Sequence, residues 1–144
     1  MSARTLWHYA PAQYIPAIEQ TGALTCSNAG APGEAPLLWF SANQIWEPTA
    51  SKIDGRNHSW LTHKQMQDRG IVRFGVEATD PRLLTWKVAC SYAGTPRELR
   101  RGMERVGIKK GANPDHWFAS PVPISIDELH LQFWRAGWHD VIEL

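Results

Sequence analysis

The sequence predicts a single α+β domain built from short, mostly antiparallel strands with helices packed on them. Its 144 residues suffice for one domain with a sizeable core, and no repeat or long linker divides residues 1–144. Segments with strand-like alternation are separated by segments with helical spacing. Near the end, ELHLQFW and WHDVIEL flank the turn at residues 135–137, a pattern typical of an antiparallel hairpin.

The first strand and the first helix are expected within residues 6–24. LWHY is a short apolar run that favours a first or edge strand, with His8 at its end. Tyr14 and Ile18 then recur on one helical face, and Gly22 suits the C-terminal cap of that helix. We therefore expect a strand, a tight connection and a short helix in this part of the chain.

The next strands are expected on either side of a polar segment. In PLLWFSANQIWEP, residues 36–48, LLWF indicates a buried strand that stops near Ser41, and Glu47 indicates the start of a further helix. Residues 54–70 are polar with little periodicity, so we expect a loop or a short helix there. Residues 71–77 alternate between apolar and polar side chains and predict a half-buried strand.

Two helices are expected between Asp80 and Gly111. The segment after Asp80 has helical character and is closed by Gly94. Thr95 and Glu98 then form a capping-box pattern with a proline between them. This pattern predicts a second helix that begins at the proline and runs to about Gly111.

Composition narrows the class of protein. A net charge of +1 gives no overall field for nucleic acid or membrane, and no run approaches the length of a membrane span. The N-terminus has no apolar leader, so the cytosol is the expected compartment.

Two cysteines without CxxC spacing indicate neither a metal site nor a disulfide framework, and His58 with His63 is a weak metal signature. Eight tryptophans suit either core filling or stacking on a flat ligand.

Several polar side chains are candidates for chemistry, although no complete catalytic motif is present. His8 could hydrogen-bond a ribose hydroxyl or be a capped histidine at a strand end. Three arginines at i, i+4 and i+8 of the last predicted helix form either a phosphate-binding patch or a solvated face; they are Arg97, Arg101 and Arg105. The candidate carboxylates are Glu47, Asp115, Glu128 and Glu143.

Two stretches resemble the ADP-ribosyltransferase superfamily. Its members begin with a strand ending in histidine, as in YHGT or YHIT, followed by a helix of the form NLxxIxxxGxL and a strand of the form (I/V)YF(A/S). The counterparts are LWHYAPAQYIPAIEQTGAL, residues 6–24, and LLWFSANQIWEPTASK, residues 37–52. The layout is similar to small bacterial branches such as DarT-like toxins, rifampicin ADP-ribosyltransferases and RNA 2′-phosphotransferases. The resemblance implies an ADP-ribosyltransferase-like fold that uses NAD as a substrate.

The resemblance also implies particular residues in an NAD site. His8 matches the histidine that holds the NAD ribose, and the backbone beside it would meet the nicotinamide carboxamide. Trp39 falls at the tyrosine that stacks on nicotinamide, and Ser41 falls at the small residue that follows. Tyr9 replaces the glycine that often follows the histidine. The implied cofactor-binding set is His8, Tyr9, Trp39, Phe40, Ser41 and Trp46.

The third family position is usually a Glu or Asp on a later strand. Such a carboxylate stabilises the charge that develops as nicotinamide leaves, or orients the incoming nucleophile. Asp115, just before the strand-like WFASPVPI, and its neighbour His116 are one choice, and Glu128 is the other. A member of the superfamily without this carboxylate could bind NAD without transferring ADP-ribose.

Three functions follow as hypotheses. The first is an NAD-dependent transfer of ADP-ribose to an acceptor, either protein or nucleic acid bound through Arg97, Arg101 and Arg105. The second is a non-catalytic, Trp-rich interaction protein of a phage or mobile-element type that binds a partner protein. The third is an RNA 2′-phosphotransferase-like enzyme in which the same arginines hold the RNA backbone.

Overall fold

Nine strands and four helices form the part of the chain that the computed structural model describes, residues 4–27, 33–50 and 61–141. The strands are β1 (Thr5–Pro11), β2 (Ala23–Leu24), β3 (Leu38–Ser41), β4 (Ile71–Glu77), β5 (Leu84–Thr85), β6 (Trp117–Ser120), β7 (Ile124–Ser125), β8 (His130–Trp134) and β9 (Trp138–Asp140). The helices are α1 (Ile15–Thr21), α2 (His63–Arg69), α3 (Trp86–Ala93) and α4 (Arg97–Lys109). They form a single small α+β domain with mostly antiparallel strands, which confirms that part of the prediction.

Seven strands form one sheet in the order β5-β6-β3-β1-β4-β8-β9, and β2 pairs separately with β7. Every neighbouring pair in the large sheet is antiparallel. β1 and β4 pair along their whole length, from Thr5 opposite Glu77 to Pro11 opposite Ile71. β8 and β9 form the predicted C-terminal hairpin. The first strand of the chain is therefore near the centre of the sheet, not at its edge.

One face of the large sheet is the main apolar core. Leu6, Phe40 and Phe74 are buried there because alternate side chains of a strand share a face. Ile18 of α1 packs against this core, and α1 ends as predicted at Gly22, which adopts the left-handed conformation. The β2–β7 ladder also lies on this face, since it contributes buried residues to the same core.

The opposite face carries most of the tryptophans, in two groups. The first group, which we call the aromatic group, consists of Trp7, Tyr9, Trp46, Met66, Ile71, Trp134 and Trp138, with Ala50 and Leu61 at its border. The second group, at the other end of the face, consists of Trp86, Cys90, Ala112 and Trp117. α2 supplies a side chain to the aromatic group, and α3 supplies two to the second group. Core filling therefore accounts for most of the tryptophans.

β4 was predicted to be half-buried, and this prediction is wrong because six of its seven residues are buried. One of the six is Arg73, which lies inside the aromatic group. The guanidinium carbon of Arg73 lies 4.0 Å from the ring centroid of Trp7 and 4.2 Å from that of Trp138. Its Nε donates to Gln132 Oε1 at 2.8 Å, and Nη1 donates to the Gln44 carbonyl at 2.8 Å. Stacking and hydrogen bonds offset the desolvation of the charge, which burial would otherwise make unfavourable.

Two predicted helix starts move in the structure. α3 begins at Trp86, several residues later than expected, because the residues after Asp80 form a turn and then the short strand β5. Thr95 does not cap α4: its hydroxyl donates to Glu34 Oε2 at 3.0 Å, and Pro96 is the N-cap residue. α4 ends at Lys109, close to the predicted end.

The segment after β3 departs from the expected helix. No helix is present from Glu47 to residue 50, and residues 51–60, which include His58, lie outside the described residues, as does Glu143. α2 confirms the short helix expected as one alternative within residues 54–70. Within the described ranges, no helix is both long enough and apolar enough to cross a membrane.

Candidate functional site

β1 and β3 are neighbours in the sheet but are paired at only one position. Their register joins Trp7 to Ser41. β1 continues beyond that pair to Pro11, and its other edge stays paired with β4 throughout. One edge of β1, from His8 onward, is therefore not paired with β3. The expectation that His8 ends the strand is wrong, because His8 lies in its middle.

The His8 side chain lies where the two strands separate. Its Nδ1 is 2.7 Å from the carbonyl oxygen of Trp39. Because a carbonyl oxygen only accepts hydrogen bonds, Nδ1 carries the proton in this contact. In a continued antiparallel ladder, the Trp39 carbonyl would accept from the N–H of Tyr9. The imidazole takes the place of that main-chain donor.

The main chain of Tyr9 faces the edge that β3 has left. In an antiparallel strand, the N–H and C=O of one residue point to the same side, and successive residues alternate. The Ala12 N–H reaches the Gly70 carbonyl on the β4 side, whereas the Thr5 carbonyl accepts from Gln44 Nε2 on the β3 side. Odd-numbered residues of β1 therefore point toward β3, and Tyr9 is the first of them beyond the last β3 pair.

A cavity of about 730 Å³ is lined by the part of β1 from His8 to Pro11. Its volume is within the range of about 300–1,000 Å³ that is typical of small-molecule sites. Its walls come from β1, α1, β2 and α2. Among the described residues that line it, Arg69 is the charged one and none is a carboxylate.

The side chains of His8 and Trp39 lie on opposite faces of the sheet. The β1–β3 register places Phe40 opposite His8, and the two rings lie 5.8 Å apart. Trp39 points to the other face, where its ring is 5.4 Å from that of Trp86. The Trp39 side chain is 37% exposed and does not line the cavity. The structure thus brings His8 together with Phe40, not with the indole of Trp39.

The row formed by His8 and Phe40 continues onto β6. Phe40 is paired with Phe118, whose half-buried side chain packs against the main core. On this later strand, the position that shares a face with His8 therefore holds an apolar ring. A carboxylate is absent from this row of three side chains.

The two carboxylates expected to supply negative charge lie elsewhere. Asp115 is exposed in the 3₁₀ turn Pro114–His116, ahead of β6. Glu128 is exposed and pairs with Arg82, whose Nη1 is 3.3 Å from Glu128 Oε2. Neither residue lines the cavity.

Ser41 and Glu47 form a buried polar cluster instead of facing the cavity. Ser41 Oγ donates to Glu47 Oε1 at 2.8 Å, and Trp117 Nε1 donates to the same oxygen at 3.2 Å. Glu47 Oε2 accepts from the Thr49 N–H at 2.9 Å and from the Thr49 hydroxyl at 2.6 Å. Four donors satisfy this carboxylate, so it fixes the segment after β3 and is not placed as a base at the cavity.

Tyr9 and Trp46 are part of the aromatic group. Tyr9 meets Trp46 edge-on at 5.0 Å between ring centroids, and Trp46 stacks on His63 at 3.8 Å. Burial raises the pKa of the Tyr9 phenol, whereas the Arg73 guanidinium opposes that rise. Because the phenol points away from the face of His8, the large residue at the family's glycine position does not crowd that face.

Sequence reasoning did not identify Tyr14 and Arg69 as site residues, yet both line the cavity. Tyr14 is an exposed ring in the 3₁₀ turn between β1 and α1. Its position directly after the first strand was an available signal. Arg69 is in the last turn of α2, and only the long-range pairing of β1 with β4 brings that helix to the cavity.

Comparison with protein-family models, with curated proteins and with solved structures found no match to this chain.

Proposed function

We propose that this chain is an ADP-ribosyltransferase-like protein that binds NAD along the open edge of β1 and transfers ADP-ribose to an acceptor. The observation that carries the proposal is the separation of β1 from β3 at His8, beside a cavity of about 730 Å³. The resemblance implies that the histidine at the end of the first strand contacts the NAD ribose, and His8 is its counterpart in this sequence.

The polar groups at the edge match the nicotinamide half of NAD. With the Nδ1 proton donated to Trp39, a neutral His8 would present the lone pair of Nε2 to a ribose hydroxyl. The Tyr9 main chain offers one N–H and one C=O in the same direction, and a carboxamide presents the complementary acceptor and donor. These two interactions would orient the glycosidic bond next to the imidazole.

The aromatic ring at nicotinamide is reassigned in this proposal. Tyr14 is the candidate, because it is an exposed ring in the cavity wall, whereas Phe40, the ring beside His8, is buried in the core and does not line the cavity. Trp39 contributes its main-chain carbonyl, which positions the imidazole. Its indole lies on the other face of the sheet, so truncating the side chain would leave that carbonyl in place.

A second candidate function is NAD binding without transfer. The observation that favours it is Phe118, which stands on the later strand in the row of His8 and Phe40. Transfer needs negative charge near the cation-like sugar, and neither Asp115 nor Glu128 lines the cavity. The two candidates share the NAD site and differ only in turnover.

A thermal-shift titration with NAD, followed by an assay for released nicotinamide, tests both candidates. NAD at 100 times its dissociation constant would stabilise the parent by about 2.7 kcal/mol. We expect His8→Ala to lose most of that shift and Trp39→Ala to keep it. His139→Ala is the matched control, because His139 Nε2 also bonds a main-chain carbonyl, that of Arg135, at 2.8 Å on a distant hairpin.

Each outcome has a distinct meaning. No shift of the parent at millimolar NAD would contradict the proposal. A shift without nicotinamide release would select NAD binding without transfer. A shift that Trp39→Ala abolishes in a folded protein would place the nicotinamide on the indole, on the opposite face of the sheet.

A further inference from the structure

The outer surface of α4 has two different stripes that nothing in the NAD proposal uses. One face of the helix is fixed against the domain: Trp86 Nε1 donates to Glu104 Oε2 at 2.8 Å, and Gly107 packs against Trp117. Arg100 lies on the same side and pairs with Glu104 at 3.6 Å. These contacts determine which residues of α4 point outward.

The first stripe is apolar. Leu99, Met103 and Val106 are spaced i, i+4 and i+7, so they share one side of the helix. They are 44%, 40% and 58% exposed. The exposed large apolar side chains of the described residues concentrate on α3 and α4, where six of ten are found: Val88, Tyr92, Leu99, Met103, Val106 and Ile108. Contiguous exposed apolar patches mark interaction surfaces, and within this set Leu99, Met103 and Val106 form such a stripe.

The second stripe is basic. Arg97, Arg101 and Arg105 are spaced i, i+4 and i+8 and are exposed. None of the three forms an ion pair with a carboxylate among the described residues. Guanidinium groups of this kind suit bidentate pairing with carboxylates of another molecule.

Gly102 lies between the two stripes on the outward side of α4. A Cβ built there would come within 4 Å of a single neighbouring atom, Arg105 Nη2, at 3.7 Å. Glu98 and Lys109 lie on the same outward line, before and after Gly102, so the ridge between the stripes is low only at Gly102. A second helix that crosses α4 at Gly102 would have apolar side chains on one flank and arginines on the other, and its backbone could approach closely at that point.

We infer that α4 is a docking surface for an acidic amphipathic helix of a partner protein. The basic stripe requires an acidic partner, and the apolar stripe requires apolar side chains that remove it from water. Nucleic acid fits less well, because interfaces with nucleic acid are more polar and would leave Leu99, Met103 and Val106 in contact with water. The inference rests on α4 alone and is independent of NAD binding.

Fluorescence anisotropy with three labelled probes tests the inference on the intact protein. The first probe is a helical peptide of about 20 residues, with leucines along one side and glutamates along the adjoining side. The second is a scrambled peptide of the same composition without helical periodicity. The third is a single-stranded oligonucleotide of the same net charge. We expect the periodic peptide to bind at least about tenfold more tightly than either other probe.

Variants then assign the binding to α4. The double variant Arg101→Glu and Arg105→Glu should bind the periodic peptide at least about tenfold more weakly. Gly102→Gln should lower the affinity for the periodic peptide by a similar factor. It should not lower the melting temperature, since glutamine favours a helix more than glycine does. Lys64→Glu, a charge reversal on the exposed surface of α2, is the control and should leave affinity unchanged.

Several results would overturn the inference. The absence of saturable binding of the periodic peptide would do so, as would equal affinity for the scrambled peptide, which would reduce the surface to nonspecific charge. Tighter binding of the oligonucleotide, lost in the double arginine variant, would instead identify the basic stripe as a nucleic-acid contact. Full affinity of the Gly102→Gln variant would exclude close approach over the ridge.

Discussion

The Nδ1 atom of His8 lies 2.7 Å from the carbonyl oxygen of Trp39, where a main-chain N–H would stand in a continuous antiparallel ladder. The imidazole thereby donates to the Trp39 carbonyl of β3, while His8 and the rest of β1 as far as Pro11 line the cavity. One side chain thus joins the geometry of the sheet to the geometry of the candidate site.

Gly75 is predicted to resist even a one-carbon enlargement. A Cβ there would lie 2.6 Å from Thr5 Cγ2 and 2.7 Å from Trp7 Cζ3. Trp7 cannot easily move, because Arg73 is stacked on its ring. Gly75→Ala should lower the free energy of unfolding in urea by about 1–3 kcal/mol. Gly102→Ala is the control and should be neutral or stabilising by up to about 1 kcal/mol; equal effects of the two changes would contradict this packing.

Arg73 is predicted not to tolerate lysine. Its guanidinium stacks on Trp7 and Trp138 while donating to Gln132 and to the Gln44 carbonyl. A lysine ammonium keeps the charge but cannot reproduce the planar fork. Arg73→Lys should lower the free energy of unfolding by about 2 kcal/mol or more, measured by urea denaturation. The control is the exposed Arg135→Lys, which should lower the free energy of unfolding by about 0.5 kcal/mol or less. An equally small effect of Arg73→Lys would contradict the role given to the guanidinium of Arg73.

The strand order could not be predicted from the sequence, although most elements could. The hairpin of β8 and β9 was predictable because its two strands are local and joined by a tight turn. β1 was expected as a first or edge strand; it is the first strand of the chain but lies between β3 and β4, because pairing with β4 joins residues 60 to 72 positions apart. Local patterns do not encode such distant partners.

The candidate site was predictable in part, for a similar reason. His8 was identified from a short motif, and the structure places it at the cavity. The face to which Trp39 points depends on register, since a shift of one residue moves a side chain to the opposite face of a sheet. Arg73 could not be identified as buried, because alternation with Val72 and Phe74 is also the pattern of a half-exposed strand.

Glu47 is predicted to be a structural carboxylate. Its two oxygens accept four hydrogen bonds, from Ser41, Trp117 and twice from Thr49. Glutamine retains only one carbonyl oxygen, so Glu47→Gln would leave a buried donor without its acceptor at a cost of about 1–3 kcal/mol in unfolding free energy. The exposed Glu98→Gln is the control. If Glu47→Gln kept full stability but lost NAD turnover, Glu47 would instead belong to the chemistry.

Asp80 is predicted to give a pH-dependent contribution to stability. Its carboxylate accepts from Arg82 Nη2 at 2.7 Å and from Nε at 3.0 Å, and these bonds hold the pKa of Asp80 below its usual range. The stabilisation is therefore complete above the pKa of the unfolded carboxyl, about 4, and is lost as the pH falls through the lower folded pKa. Asp80→Asn should cost roughly 1 kcal/mol at pH 7, because the pair is partly exposed, and much less near pH 2. A difference that stays constant from pH 7 to pH 2 in urea denaturation would contradict this assignment.

The measurement that tests the account most directly is hydrogen exchange of the β1 amides with and without NAD. Ala10 points to β4, as Ala12 does, whereas Tyr9 points to the edge that β3 has left. We therefore expect the Tyr9 amide to exchange much faster than that of Ala10 in the free protein. Saturating NAD should then slow hydrogen exchange of the Tyr9 amide and leave the exchange rate of the Ala10 amide unchanged. A Tyr9 amide that is already as protected as Ala10, or that exchanges at the same rate with NAD present, would contradict the proposed site.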